Sequence, residues 1–331
     1  MRVFVAGSAG AIGRRLVPQL VERGHAVVAT TRSEAKLAEL RALGAEPRLM
    51  DGLDAGSVGE AIARAEPEVI VHQMTALAGL ADLRRFDRTF ATTNELRTRG
   101  TEHLLAAGQA AGARRFVAQS YTGWPNIREG GPVKTEEDPF DPEPPAQMRE
   151  SLDAIRRLEH LVAAAPLEGV VLRYGSFYGP GAWDELVALV RSRKLPLVGD
   201  GAGVWSWLHV DDAAAATVAA VEGRATGVFN VVDDDPAPVS EWLPFLAEAA
   251  GAKRPRRVPA WLARIAAGET VVSMMTRIRG SSNAKAKREL GWEPRFASWR
   301  QGFREALTEP PAATRRPEEP WSLATSTLTA R

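Results

Sequence analysis

The chain of 331 residues contains no cysteine. That absence excludes a disulfide framework, a thiolate nucleophile and a Cys-ligated zinc. Charge of one sign is missing too: the formal net charge is +1, which gives no electrostatic reason to expect a nucleic acid or a membrane as partner. No apolar run is long enough to span a bilayer. Met1 lies against the first strand-like segment, which leaves no room for a signal or transit peptide, so the expected location is cytoplasmic. His25, His103, His160 and His209 show no metal-ligand spacing, and no metal site is expected. Tyrosine is scarce, with three in the whole chain.

What the chain does have is alternation. Strand-like segments lie at Val3–Ala6, His25–Thr30, Glu46–Met50, Val69–Met74, Arg115–Ser120, Gly169–Tyr174 and Val228–Val232. Helical patterns fall between them at Ala11–Arg23, Ser33–Leu43, Val58–Ala65, Glu95–Ala111 and Gln147–Ala164. Short apolar strands separated by helices predict an α/β fold with a parallel sheet covered on both faces. Pro18 is expected to kink the first helix. Beyond Tyr174 prolines multiply and helical patterns shorten, as for a second, smaller lobe. The expected division is 1–174 plus about 205–232 for one domain, about 175–204 plus 233–309 for the lobe, and 310–331 as a flexible tail.

The first strand runs straight into Gly7-Ser8-Ala9-Gly10-Ala11-Ile12-Gly13. Gly7 allows the sharp turn off the strand, Gly10 lets backbone amides approach a pyrophosphate, and Gly13 lets the next helix pack close to the sheet. That helix's N-terminus favours phosphate charge. A glycine triplet alone is weak evidence; its place between a strand and an apolar helix (Ile12, Leu16, Leu20) makes it a dinucleotide-binding turn with Ala9, Ala11 and Ile12 in its wall.

These residues resemble the extended short-chain dehydrogenase/reductases, the NAD-dependent epimerase/dehydratase group. The likeness runs from Val3 to about Leu307 through Asp51-Gly52-Leu53-Asp54, Val69-Ile70-Val71-His72, the helix opened by Asn94, Leu172 to Gly181, Trp207 to Asp212 and Lys287 to Pro294. It implies a doubly wound Rossmann sheet with a C-terminal substrate-binding lobe that closes over the substrate. It also implies cofactor contacts from Asp51, Gly52 and Leu53 around the adenine, and from Gln73, Met74, Thr75, Asn94, Gln119, Tyr174 and Ser176. Ser176 stands where relatives often carry an asparagine that touches the substrate.

A carboxylate after the second strand would bind the adenosine ribose and repel a 2′-phosphate. Here the segment reads Thr30-Thr31-Arg32-Ser33. Arg32 is a permanently charged fork and Ser33 a hydroxyl donor, so the reading favours NADP(H) over NAD(H); a surface arginine beside an N-cap serine is the plain alternative. Arg14 and Arg15 either add positive potential or lie on a solvated face.

The departure from the resemblance is catalytic. Its usual pair is Tyr-x-x-x-Lys on the helix after the fifth strand. The residues four after Tyr121, Tyr174 and Tyr178 are Pro125, Tyr178 and Ala182, so that pair is absent; Ser151 and Ile155 stand in its place. Tyr121 is the candidate replacement acid, with Ser120 and Thr122 beside it and Tyr178 as the second choice. His72 is expected in the strand core and Lys134 on an exposed loop. Trp183, Trp205 and Trp207 line an apolar cleft or pack the lobe's core, and the basic run from Lys253 to Arg257 either grips a phosphorylated or nucleotide-linked substrate or, as such runs more often do, forms a solvated surface. Two function classes stay open: an NADP-dependent oxidoreductase, with epimerase or dehydratase variants, acting on a small carbonyl, hydroxyl or sugar-like substrate; and a non-catalytic dinucleotide-binding sensor. The expected partner is a small molecule, with a homodimer left open.

Overall fold

The computed structural model describes residues 1–76 and 83–308; the expected tail at 310–331 lies outside them. Seven strands form the main sheet: β1 Arg2–Ala6, β2 Ala26–Thr31, β3 Glu46–Leu49, β4 Val69–His72, β5 Arg115–Tyr121, β6 Glu168–Tyr174 and β7 Gly227–Val231. Their order is β7-β6-β5-β4-β1-β2-β3, and every neighbouring pair is parallel. The chain is α/β and Rossmann-like.

Period-two alternation sets the two faces. Val3 and Val5 point to the side packed by Leu16, Val17 and Leu20 of helix Gly13–Glu22 and by the alanines of helix Val210–Glu222. Phe4 and Ala6 point to the other side, against Val58, Ile62, Leu104 and Leu158. All four strand residues are fully buried, as a central parallel strand covered on both faces must be. Strand order reverses between β1 and β4, so a crevice opens at their carboxyl ends.

Local chemistry moves several boundaries from their expected places. Helix Gly13–Glu22 runs on through Pro18. The third helix starts at Ala55 rather than Val58, because Asp54 caps the amides of Gly56 and Ser57. The helix expected over Glu95–Ala111 is broken into Ala91–Glu95, a π-helical turn Leu96–Gly100 and Thr101–Ala110. There the Thr98 and Thr101 hydroxyls donate to the carbonyls of Asn94 and Arg97, at 3.0 and 2.7 Å, competing with the backbone ladder.

A second core gathers Tyr178, Trp183, Trp207, Trp242, Phe296, Trp299 and Phe303. Buried carboxylates tie its last segment down. Asp212 accepts the amides of Arg295 and Phe296, and Asp233 accepts that of Trp299.

Candidate functional site

A cleft of about 490 Å³ opens at the carboxyl ends of β1, β2 and β4. The glycine turn forms its floor, with Gly7, Ala9, Gly10, Ala11, Ile12 and Gly13 all on the wall. Gly7 has φ +92°, and a Cβ there would come within 2.7 Å of the Gln73 backbone. A Cβ on Gly13 would drive into the Ser8 carbonyl, whereas one on Gly10 meets only the Gly7 carbonyl, at 3.6 Å. Packing therefore requires glycine at 7 and 13. At position 10 the missing side chain keeps the cleft open.

Arg32 and Ser33 reach the same wall, together with Lys36, which the sequence reading missed. Neither Arg32 nor Lys36 forms an ion pair among the described residues. Arg14 and Arg15, by contrast, are committed: Arg14 to Glu39, and Arg15 to Asp211 and the Pro180 carbonyl. Gly52, Gln73, Met74 and Thr75 line the cleft opposite, and the Gln73 Oε1 is buried without a partner. An open glycine cradle, free cations and an orphaned amide oxygen fit a phosphorylated dinucleotide.

Other expected contacts lie off that wall. Asp51 spends its Oδ1 on the Leu53 amide at 3.0 Å, and Leu53 packs partly against the sheet. Asn94 donates to Ser151 Oγ at 3.0 Å. The Tyr174 hydroxyl is enclosed between Gln73 and Thr217.

At the end of β5 the hydroxyls divide. Ser120 donates to Glu159, whose carboxylate also holds Arg173 in a buried pair. Thr122 shares a 2.6 Å hydrogen bond with Ser281 and a 3.2 Å bond with Asn126. Tyr178 stands fully buried among the lobe's aromatic rings, its hydroxyl without a partner and its pKa driven up by burial. Tyr121 differs. Two residues on from Gln119, which lines the cleft, it lies on the same face of β5. It is half-buried, and its hydroxyl shares a 3.0 Å hydrogen bond with Ser176. Burial raises its pKa, against smaller lowering effects from Ser176 and the Arg97 charge.

His72 sits in the strand core, accepting the Met74 amide and contacting the Leu96 carbonyl at 3.2 Å; burial lowers its pKa to about 4. Lys134 is not exposed, because its loop wraps Nζ onto the Glu129 carbonyl and Asp138. Trp183 and Trp207 belong to the lobe's core, while Trp205 is half-buried and donates to the Met274 carbonyl. The charged residues of the run from Lys253 to Arg257 are exposed. Among the described residues no cluster of potential metal ligands occurs, and no helix is long and apolar enough to cross a membrane.

Residues 3–231 match the model of the NAD dependent epimerase/dehydratase family. The chain is 46% identical over 308 residues to a 3-diazoavenalumate denitrifying reductase from a Streptomyces species, covering 92% of this chain and 99% of the relative. It is 30% identical over 269 residues to a 2-alkyl-3-oxoalkanoate reductase of Stenotrophomonas maltophilia, covering 77% of each. Among solved structures, UDP-glucose 4-epimerase of Thermotoga maritima with UDP-glucose superposes with a TM-score of 0.72 at 25% identity, over 93% of this chain and 97% of that one. A human epimerase-family protein solved with NADPH shares the fold, with a TM-score of 0.73 at 20% identity over 93% of this chain and 99% of that one.

Proposed function

The chain belongs to the NAD-dependent epimerase/dehydratase family, and from that premise we propose that it is an NADP(H)-dependent reductase of small carboxylate substrates. One observation carries the choice of reduction over epimerisation or dehydration. Tyr121, two residues on from the cleft-lining Gln119, is hydrogen-bonded to Ser176, and burial raises its pKa, which favours the protonated phenol. Epimerases and dehydratases that begin by oxidising a hydroxyl need a base with a lowered pKa. Ser120 and Thr122 are already engaged, so among the described residues this site offers an acid and no matching base.

The residues that would hold the cofactor are the amides of the glycine turn, Gln73, and Arg32 with Ser33 and Lys36 around a 2′-phosphate. When bound, the reduced nicotinamide supplies a hydride. Tyr121 supplies the proton that a keto acceptor requires; an aryl diazonium acceptor, which takes the hydride at carbon as its nitrogen departs as dinitrogen, needs none from the protein. Both reductase relatives carry a carboxylate in the name of their substrate, one beside a diazo group and one beside a ketone.

The test is NADPH oxidation with a diazo-substituted carboxylate and a 3-oxo carboxylate, run beside UDP-glucose. Consumption of NADPH with either acid is expected. Conversion of the sugar nucleotide without net cofactor consumption would overturn the reading.

A further inference from the structure

Arg97 sits on the π-helical turn Leu96–Gly100 and is only 8% exposed. An arginine that deep normally has its fork filled, because an uncompensated buried charge is strongly unfavourable. Arg115, at 1% exposure, shows the usual solution: it donates to the carbonyls of Ala220 and Ala225 and pairs with Glu168. Arg97 has nothing comparable. Among the described residues its guanidinium makes no hydrogen bond and no ion pair. None of its nitrogens is sealed off without a partner either, so its small accessible fraction includes the charged tip.

The surroundings say where that tip acts. Its charge is felt by the Tyr121 phenol and the His72 imidazole. Neither is an anion near neutral pH, so neither compensates it. Burial draws the Arg97 pKa down to about 10, which leaves the group cationic. Leu96, its neighbour, is on the cleft wall, and π-turns of this kind recur at functional sites. Beside Tyr121 lies Trp124, with ring centroids 6.3 Å apart, and Trp205 and Met274 are half-buried in the same apolar cluster.

We propose that Arg97 is the receptor for the substrate's carboxylate, held beside Tyr121 and the apolar cluster of Trp124, Trp205 and Met274, which suits an aryl or unsaturated acid. This inference rests on the reductase reading and narrows its substrate class. A carboxylate docked there completes a charge pair of which the protein supplies one half, through the two parallel bonds an arginine fork makes. The π-turn that holds Arg97 also carries Leu96, whose carbonyl meets His72, so the receptor is fixed to the sheet.

The protein saturated with NADP⁺, which cannot turn over, is titrated with cinnamate and with methyl cinnamate by calorimetry. The acid is expected to bind about ten- to a hundredfold more tightly than the ester, the range of a charge-assisted bond. Arg97→Gln removes that difference and leaves NADP⁺ affinity unchanged, and Arg97→Lys restores part of it. Because a buried charge without a partner is removed, Arg97→Gln also melts no lower than the wild type, an outcome that a purely structural arginine would not give. Equal binding of acid and ester, binding of neither, or loss of NADP⁺ affinity in Arg97→Gln overturns the proposal. The two readings fail separately: keto-acid reduction with no carboxylate preference sinks only the Arg97 receptor, and carboxylate binding without any reduction sinks the reductase.

Discussion

Where β1 and β2 end, some of the polar groups on the cleft wall are left free among the described residues, whereas at the end of β5 nearly every hydroxyl is already engaged. Arg32 and Lys36 face the cleft without ion partners, and Gln73 Oε1 is orphaned. A few strands away Ser120 serves the Glu159–Arg173 pair, Thr122 serves Ser281, and Tyr174 is closed in by Thr217. Among the described residues, Tyr121 with Ser176 and the unpaired Arg97 remain for a ligand there. One end is a binding cradle set largely by backbone. On the proposed reading the other offers an acid and a cation without a base. Binding survives changes that chemistry does not, so relatives of this fold can share a cofactor cleft and differ in reaction.

The largest effect that can break this contrast is at Gly10. Its absent Cβ borders open space, so Gly10→Val should abolish dinucleotide binding and leave a folded protein. Gly13→Ala should instead destabilise the fold, because its Cβ would enter the Ser8 carbonyl. Calorimetry with NADPH and thermal melting separate the two; unchanged affinity in Gly10→Val would mean that the turn is not the phosphate site.

At the other end, Tyr121→Phe is expected to slow reduction of a keto acid about 10²–10⁴-fold, the usual cost of losing a positioned general acid. With an aryl diazonium acceptor, which needs no proton, the same change should matter far less. Ser120→Ala should show the opposite pattern, a lower melting temperature with turnover kept, since Ser120 donates to a buried carboxylate. Full keto-acid activity in Tyr121→Phe would remove Tyr121 from the chemistry.

His72 marks the boundary between the ends and gives the next effect. Its folded pKa of about 4 lies below the 6.5 of a free imidazole. Its contribution is therefore complete above pH 6.5 and is lost as the pH falls towards 4, by about 3 kcal/mol at most. Asp212 and Asp233, whose pKa values burial raises, act in the opposite sense. The cleanest reading is thus the difference in urea stability between wild type and His72→Gln, which should shrink across that window. A difference independent of pH would contradict the buried, neutral imidazole.

The smallest effect concerns the cofactor's phosphate. Arg32→Ala and Lys36→Ala should each weaken NADPH by roughly tenfold, within the range of a charge-assisted bond, and leave NADH little changed. Equal affinity for both cofactors, unaltered by either change, would end the NADP preference.

The fold was legible because its signals are local. Val-Phe-Val before a glycine turn, and apolar strands alternating with helices, are read directly along the chain. So was the cleft floor, where Gly7 at φ +92° reports the turn. The engaged hydroxyls were not legible, because their partners are remote: Ser120 meets Glu159 39 residues on, and Thr122 meets Ser281 159 residues on. Tyr178 stood as the second choice of acid, and only the lobe's assembly shows it among Trp183, Trp207 and Phe303. Arg97 drew no reading of its own within the helix expected over Glu95–Ala111. A signal was present, since Thr93, Arg97 and Thr101 recur at spacings of four and all are buried. A charge on the inward stripe of a helix is the mark that could have found it.

The most direct test of an acid without a base is the fate of the hydride. NADPH deuterated at C4 is incubated with a diazo-substituted or 3-oxo carboxylate, and the product mass is read against the cofactor oxidised. The account predicts one deuterium in each product molecule, with one NADP⁺ formed for each. Return of an isomerised substrate with the cofactor unconsumed would contradict it.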